Sequence, residues 1–172
     1  MTNPYLITKV LIMKTKNLSK YELMTLAYYV AAKMEKDSSI ATDKVTWESY
    51  HGFPVGVIDR DVYADFCEFM RIDMDDFTLQ LAESFSESDA GIHYHLKGHQ
   101  LVVALGEECG LPNPEPNAKV YIEGEYFEAE AGEFYYFNNC VSHNFHGKFH
   151  FINLQNPPLV DCEGHDDFVL SE

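Results

Sequence analysis

Apolar residues recur along the chain with two different periods. Over residues 19–36 they follow a helix: Leu23, Leu26, Ala27, Val30 and Met34 fall three or four apart and make one stripe. Ser19 and Glu22 have the S-x-x-E spacing of a capping box, and Leu18 with Leu23 fits a hydrophobic staple. The spacing predicts a helix packed on a sheet, with an oligomer interface as the other use of the stripe. Residues 47–58 contain Gly52, Pro54 and Gly56 and read as a loop or broken strand. Asp59 is placed to cap a short second helix, with Val62, Phe66, Phe69 and Met70 on one face.

After Asp75 the period shortens to two. Residues 77–81, 91–96, 100–105, 119–123, 126–131, 133–137 and 149–154 all read as short strands separated by glycine and polar residues. Residues 106–118, with Gly110, Pro112 and Pro114, read as a turn-rich loop. Many short strands with turn signals favour a sandwich or barrel. The chain thus divides into a helical extension over 1–76, a β-rich core over 77–155 and an acidic tail over 156–172, all within one domain of 172 residues.

Composition and charge narrow the function classes. Apolar residues make up 46% and aromatics 14%, with 12 Phe and 11 Tyr, enough to fill a barrel core and wall an apolar pocket. A net charge of −16 with two arginines, Arg60 and Arg71, repels phosphate backbones and anionic lipid, which argues against nucleic-acid and membrane-surface binding. No stretch approaches the roughly 20 apolar residues of a membrane span. The apolar run over 5–13 lacks the basic start and cleavage site of a secretory signal, so a cytoplasmic location is expected. Cys67, Cys109, Cys140 and Cys162 form no C-x-x-C pair and read as reduced, mostly structural thiols.

The chemistry concentrates in histidines. His93 and His95 are two apart in a strand pattern, so both imidazoles face the same side and can grip one ion. His99 and Gln100 follow a short turn containing Gly98, where a hairpin would bring the chain back past the pair. His143 follows the polar turn of Asn138, Asn139 and Cys140 and can enter from a different strand. His51 and His165 have no partner at ligand spacing. Tyr94 is expected to face away from the pair. Tyr135 and Tyr136 alternate faces, which makes one of them a candidate for substrate contact or acid–base work. Cys140 and His146 are candidates to stand just behind the metal ligands. His150 is expected at the surface or in the same outer layer.

These motifs resemble the cupins. The family's first motif, H-x-H followed by Glu or Gln and an apolar strand ending in Gly, is similar to His93-Tyr94-His95 through Gln100 and Leu105 to Gly106. Its second motif, a Gly-Asp-like pair followed about ten residues later by His, is similar to Gly132-Glu133 leading to His143. The resemblance covers residues 77–155. It implies a double-stranded β-helix, or jelly-roll, barrel carrying one divalent transition metal ion, Fe(II), Zn, Ni or Mn. The implied ligands are His93, His95, His143 and a fourth residue. The chain departs from the family at that fourth position, where the usual Glu is absent. Gln100 is favoured there, with His99 as the alternative, and either leaves the ligand set without a carboxylate. The family's Pro-x-Gly before the last His is also replaced, by Asn138-Asn139-Cys140.

The resemblance implies a metal-dependent enzyme acting on a small organic, possibly acidic, molecule, such as a non-haem iron dioxygenase or a lyase or isomerase. The alternative is a non-catalytic cupin that binds or senses a small ligand. A homodimer is expected from the resemblance alone.

Overall fold

A computed structural model describes residues 15–50, 52–84, 91–159 and 167–171. The apolar run over 5–13, His51, Cys162, His165 and the stretch 160–166 of the acidic tail lie outside the described residues.

The expected helix is present as α1, Lys20–Lys36. Ser19 caps it: its hydroxyl accepts from the Glu22 N–H and the Glu22 side chain accepts from the Ser19 N–H. The two bonds satisfy donors that a helix start leaves unpaired. Leu23, Leu26, Ala27, Val30, Ala31 and Met34 are buried on one side, matching the stripe. A short turn of helix, α2 (Ile40–Asp43), follows.

The segment read as a loop or broken strand is a hairpin of two strands, β1 (Val45–Tyr50) and β2 (Phe53–Ile58). Gly56 and Pro54 masked it. Gly56 is required there because a Cβ would collide with the Val45 side chain and crowd the Leu81 carbonyl of the neighbouring strand. The next helix is split into a 3₁₀ turn, Arg60–Val62, and α3, Ala64–Met70. Asp59 makes no capping bond, and Phe69, expected on the buried face, is 82% exposed.

The remaining strands are β3 (Thr78–Ser84), β4 (His93–His95), β5 (His99–Leu105), β6 (Lys119–Ile122), β7 (Glu125–Glu128), β8 (Phe134–Phe137), β9 (His143–His146), β10 (Phe149–Asn156) and β11 (Phe168–Leu170). They form two antiparallel sheets, β1-β2-β3-β10-β5-β8 and β11-β4-β9-β6-β7. The chain therefore folds as a double-stranded β-helix carrying an N-terminal helix. The larger sheet begins at Val45, inside the stretch expected to be helical extension. The acidic tail supplies β11, which pairs with β4. Strand β9 was not legible, since His143 to His146 mixes polar and aromatic residues without a clean period.

Two apolar clusters stabilise the fold. One lies between α1 and the outer face of the larger sheet and contains Leu26, Val30, Leu81, Leu101, Val103 and Leu154. The other lies between the sheets and contains Phe53, Val102, Ala104, Phe137, Phe145 and Phe151. Strand β5 divides its residues between them: Leu101, Val103 and Leu105 face the helix, while Gln100, Val102 and Ala104 face the barrel interior. Burial on both faces explains its unbroken apolar run. Burial also pushes the Cys67 and Cys109 thiols up to about 11, which makes them inert packing groups. Among the described residues no helix is long and apolar enough to cross a membrane.

Leu26 is fully buried between helix and sheet. Leu26→Ala is expected to lower unfolding free energy by about 2–5 kcal/mol in urea denaturation, through lost transfer energy and the cavity left behind.

Candidate metal centre and its cavity

Strands β4 and β9 are neighbours, and His93 stands directly opposite His143 in their register. His95 follows two residues along β4, on the same face. The three side chains are buried, and their ligand atoms lie within 4.8 Å of one another.

Backbone carbonyls orient each ring. His93 Nδ1 lies 2.8 Å from the Gly91 carbonyl, His143 Nδ1 2.9 Å from the Val141 carbonyl, and His95 Nδ1 3.2 Å from the Asp167 carbonyl. A carbonyl can only accept, so each Nδ1 carries the proton and each Nε2 presents a lone pair. Aromatic rings limit rotation further: Phe168 stacks on His93 with centroids 4.4 Å apart, and Phe137 stacks on His143 at 4.3 Å. Burial first, then the neighbouring His93 and His95, hold His143 well below the ordinary imidazole pKa, so it is a neutral ligand at neutral pH.

The residues fit a divalent ion. His143 Nε2 and Gln100 Oε1 are both buried and have no hydrogen-bond partner among the described residues. Such an unpaired buried atom costs about 1–3 kcal/mol, and a coordinated cation would relieve it. Gln100 lines the same cavity as His93 and His95. Its amide N–H₂ donates to Asn153 Oδ1 at 2.6 Å, which leaves the carbonyl oxygen as the available ligand atom.

The alternation of β5 sends His99 the other way. Its ring meets the Tyr136 hydroxyl at 2.7 Å and Asn156 Oδ1 at 3.3 Å, on the helix side of the sheet. Gln100, and not His99, therefore shares a face with the triad. Tyr136 stands with His99, away from the cavity. Tyr135 faces the interior cluster, but its hydroxyl donates to the Glu128 carbonyl at 2.6 Å, and neither tyrosine lines the cavity. Burial raises the pKa of both phenols, which keeps both protonated at neutral pH. The expected catalytic use of Tyr135 or Tyr136 does not match this placement.

Cys140 touches the centre through its backbone. Its thiol is exposed and lies 3.8 Å from the Leu96 carbonyl, while its N–H donates to the His95 carbonyl at 2.7 Å. Its φ of 64° is the left-handed conformation that glycine adopts easily. His146 lies at the far end of β9, on the face opposite His143 and Phe145, with its ring 5.5 Å from Tyr126. His150 faces Glu83 at 3.5 Å on the outer side of β10. None of Cys140, His146 and His150 directs its side chain at the triad.

Asp167 is the residue that sequence reasoning missed. It falls in the acidic tail of the sequence reading, yet it is 7% exposed. Its side chain accepts from the Lys97 and Gly98 N–H groups, the latter at 2.8 Å, and from Gln155 Nε2 at 3.3 Å. Its carbonyl orients His95. The turn between β4 and β5 is thus held by a residue about 70 positions later. Gly98 is needed in that turn because a Cβ would strike the Gln155 side chain.

His93 and His95 line a small cavity of about 40 Å³ between the sheets. Phe53, Phe145, Phe151, Phe168 and Tyr50 give its wall an aromatic character. Gln80, Gln100 and Asn153 supply carboxamides, and no Asp, Glu, Lys or Arg lines it among the described residues.

No family model matches the sequence, and neither does any curated protein. Solved structures match by shape. A variant of Streptomyces PAC13 with uridine superposes with a TM-score of 0.51 at 9% identity, covering 76% of this chain and 87% of that one. A predicted oxalate decarboxylase from Thermotoga maritima gives 0.46 at 12% identity, covering 69% and 96%. KdgF from Halomonas sp. gives 0.44 at 12% identity, covering 65% and 86%. Two facing antiparallel sheets with a histidine triad between them, together with the PAC13 match, make this a protein of the cupin fold.

Two outcomes follow from the centre's geometry. Asp167→Ala should weaken Zn(II) or Fe(II) binding by about 10–100-fold in a competition titration, the usual cost of losing an outer support. The depressed pKa of His143 means that the folded chain binds fewer protons than the unfolded one below about pH 6.5. Its contribution to stability is present above that pH and is lost as pH falls toward the folded value. The metal-free protein should therefore lose midpoint temperature more steeply between pH 7 and pH 5 than His143→Gln does.

Proposed function

We propose that this chain is a metal-dependent enzyme acting on a small organic molecule bound between the two sheets. His93, His95 and His143 hold the ion through Nε2, and Gln100 adds its amide oxygen. The convergence of three ring-oriented imidazoles on one buried point, at the head of an aromatic cavity, carries this reading. A four-ligand set without a carboxylate leaves the ion its full double charge, which suits Lewis-acid or oxygen-dependent chemistry.

The cavity walls favour an oxygen-dependent reaction of the non-haem iron dioxygenase class. Apart from the histidine triad, Tyr50 is the one titratable side chain among the described residues that line the cavity. The protein's own groups therefore orient substrate and exclude water, and they offer little general acid–base catalysis. A bound Fe(II) would supply the redox chemistry. Tyr50 also supports a second reading, a lyase or isomerase in which the phenol moves a proton. The fold neighbour with uridine at TM-score 0.51 is compatible with small-molecule binding in such a barrel.

The tests are metal analysis and oxygen uptake. Protein purified without an affinity tag should contain close to one transition-metal ion per chain by mass spectrometry of the elements. His93→Ala and His143→Ala should each lower affinity by more than the 10–100-fold typical of outer-shell changes. A chain that holds no metal, and whose midpoint temperature is unmoved by added Fe(II) or Zn(II), would sink the proposal. Substrate turnover without oxygen consumption would select the lyase or isomerase reading.

A further inference from the structure

The geometry points to an uncharged, flat ligand that carries a neighbouring hydrogen-bond donor and acceptor, the class of aromatic primary amides and lactams, as the molecule this cavity is built to take. The inference rests on the reading of the cavity beside the triad as the substrate site.

The chain as a whole is strongly charged, with 28 acidic and 12 basic residues. None of them lines the cavity among the described residues. Beyond the reach of the ion, a carboxylate or phosphate against this wall would have no cationic side chain to pair with, and an unpaired buried charge is costly. An ammonium group would find no carboxylate. The flat rings of Phe53, Phe145 and Phe151 instead offer faces and edges to a planar apolar body.

The polar groups of the wall are carboxamides, and the sheet register arranges them. Gln80 on β3 stands directly opposite Asn153 on β10. Asn153 Oδ1 already accepts from Gln100, so the rest of that side chain, its N–H₂, is a donor. Gln80 Oε1 is buried, lines the cavity and has no hydrogen-bond partner among the described residues. Side by side stand an acceptor that needs an N–H and a donor that suits a carbonyl. One ligand amide satisfies both, and a ligand carboxylate satisfies only the donor while facing the Gln80 oxygen with its own lone pairs. A site built from buried amide groups rejects analogues that leave those groups unpaired.

Benzamide and benzoate, matched in shape, test this on the full chain stripped of metal, so that direct coordination of benzoate cannot mask the wall's preference. Titration by NMR should show benzamide binding about tenfold or more tighter than benzoate, the size of one satisfied buried hydrogen bond. Gln80→Met should bring benzamide down to the benzoate level. Gln80→Glu keeps an acceptor oxygen and should retain benzamide while weakening benzoate further. Equal or tighter binding of benzoate to the stripped chain would overturn the proposal. So would binding of neither probe, or unchanged benzamide affinity in folded Gln80→Met. If that variant fails to fold, the benzamide–benzoate comparison and Gln80→Glu still decide. Metal content, measured on the unstripped preparation, stands or falls independently of which probe binds.

Discussion

His93 and His143 face each other across a single pair of antiparallel strands, and this register is the constraint on which the centre depends. A slip of one residue would turn His143 outward and bring Asn144 in, because side chains alternate along a strand. Several contacts hold the register. Ile122 pairs with His143 from β6, Leu170 pairs with His93 from β11, and the Cys140 N–H bonds the His95 carbonyl at the turn. The stacked rings of Phe137 and Phe168 then fix the imidazoles within that frame.

The parts of the fold legible in sequence were those with a clean local period. The helix announced itself through its cap and its stripe, and His93 with His95 through a spacing of two. The fourth position was different. His99 and Gln100 are adjacent, and local sequence cannot say which face of β5 turns toward the barrel. That choice is made by the packing of Leu101, Val103 and Leu105 against α1. The resemblance left both residues open with a lean to Gln100, and the packing of β5 puts Gln100 on the barrel side and His99 on the helix side.

The parts that were not legible depend on distance along the chain. Nothing near Asp167 reveals that its side chain caps a turn at Lys97 and Gly98, or that its carbonyl orients His95. The β1–β2 hairpin was hidden because glycine and proline usually break strands, whereas Gly56 here permits close approach to Val45 and Leu81. Tyr135 and Tyr136 were singled out because tyrosine can do chemistry. Their hydroxyls are instead engaged by Glu128 and by His99, contacts that follow from topology.

Strand β5 has a consequence for how such a protein can change. Its alternate positions answer to two masters: Leu101, Val103 and Leu105 anchor the helix, while Gln100, Val102 and Ala104 form part of the chamber. The same division runs along β10, where Ile152 and Leu154 pack outward and Phe151 and Asn153 face inward. Selection on ligand preference and selection on thermal robustness therefore act on interleaved but separate sets of residues. The chamber can be re-lined for a new ligand without redrawing the contacts that keep the helix on the sheet.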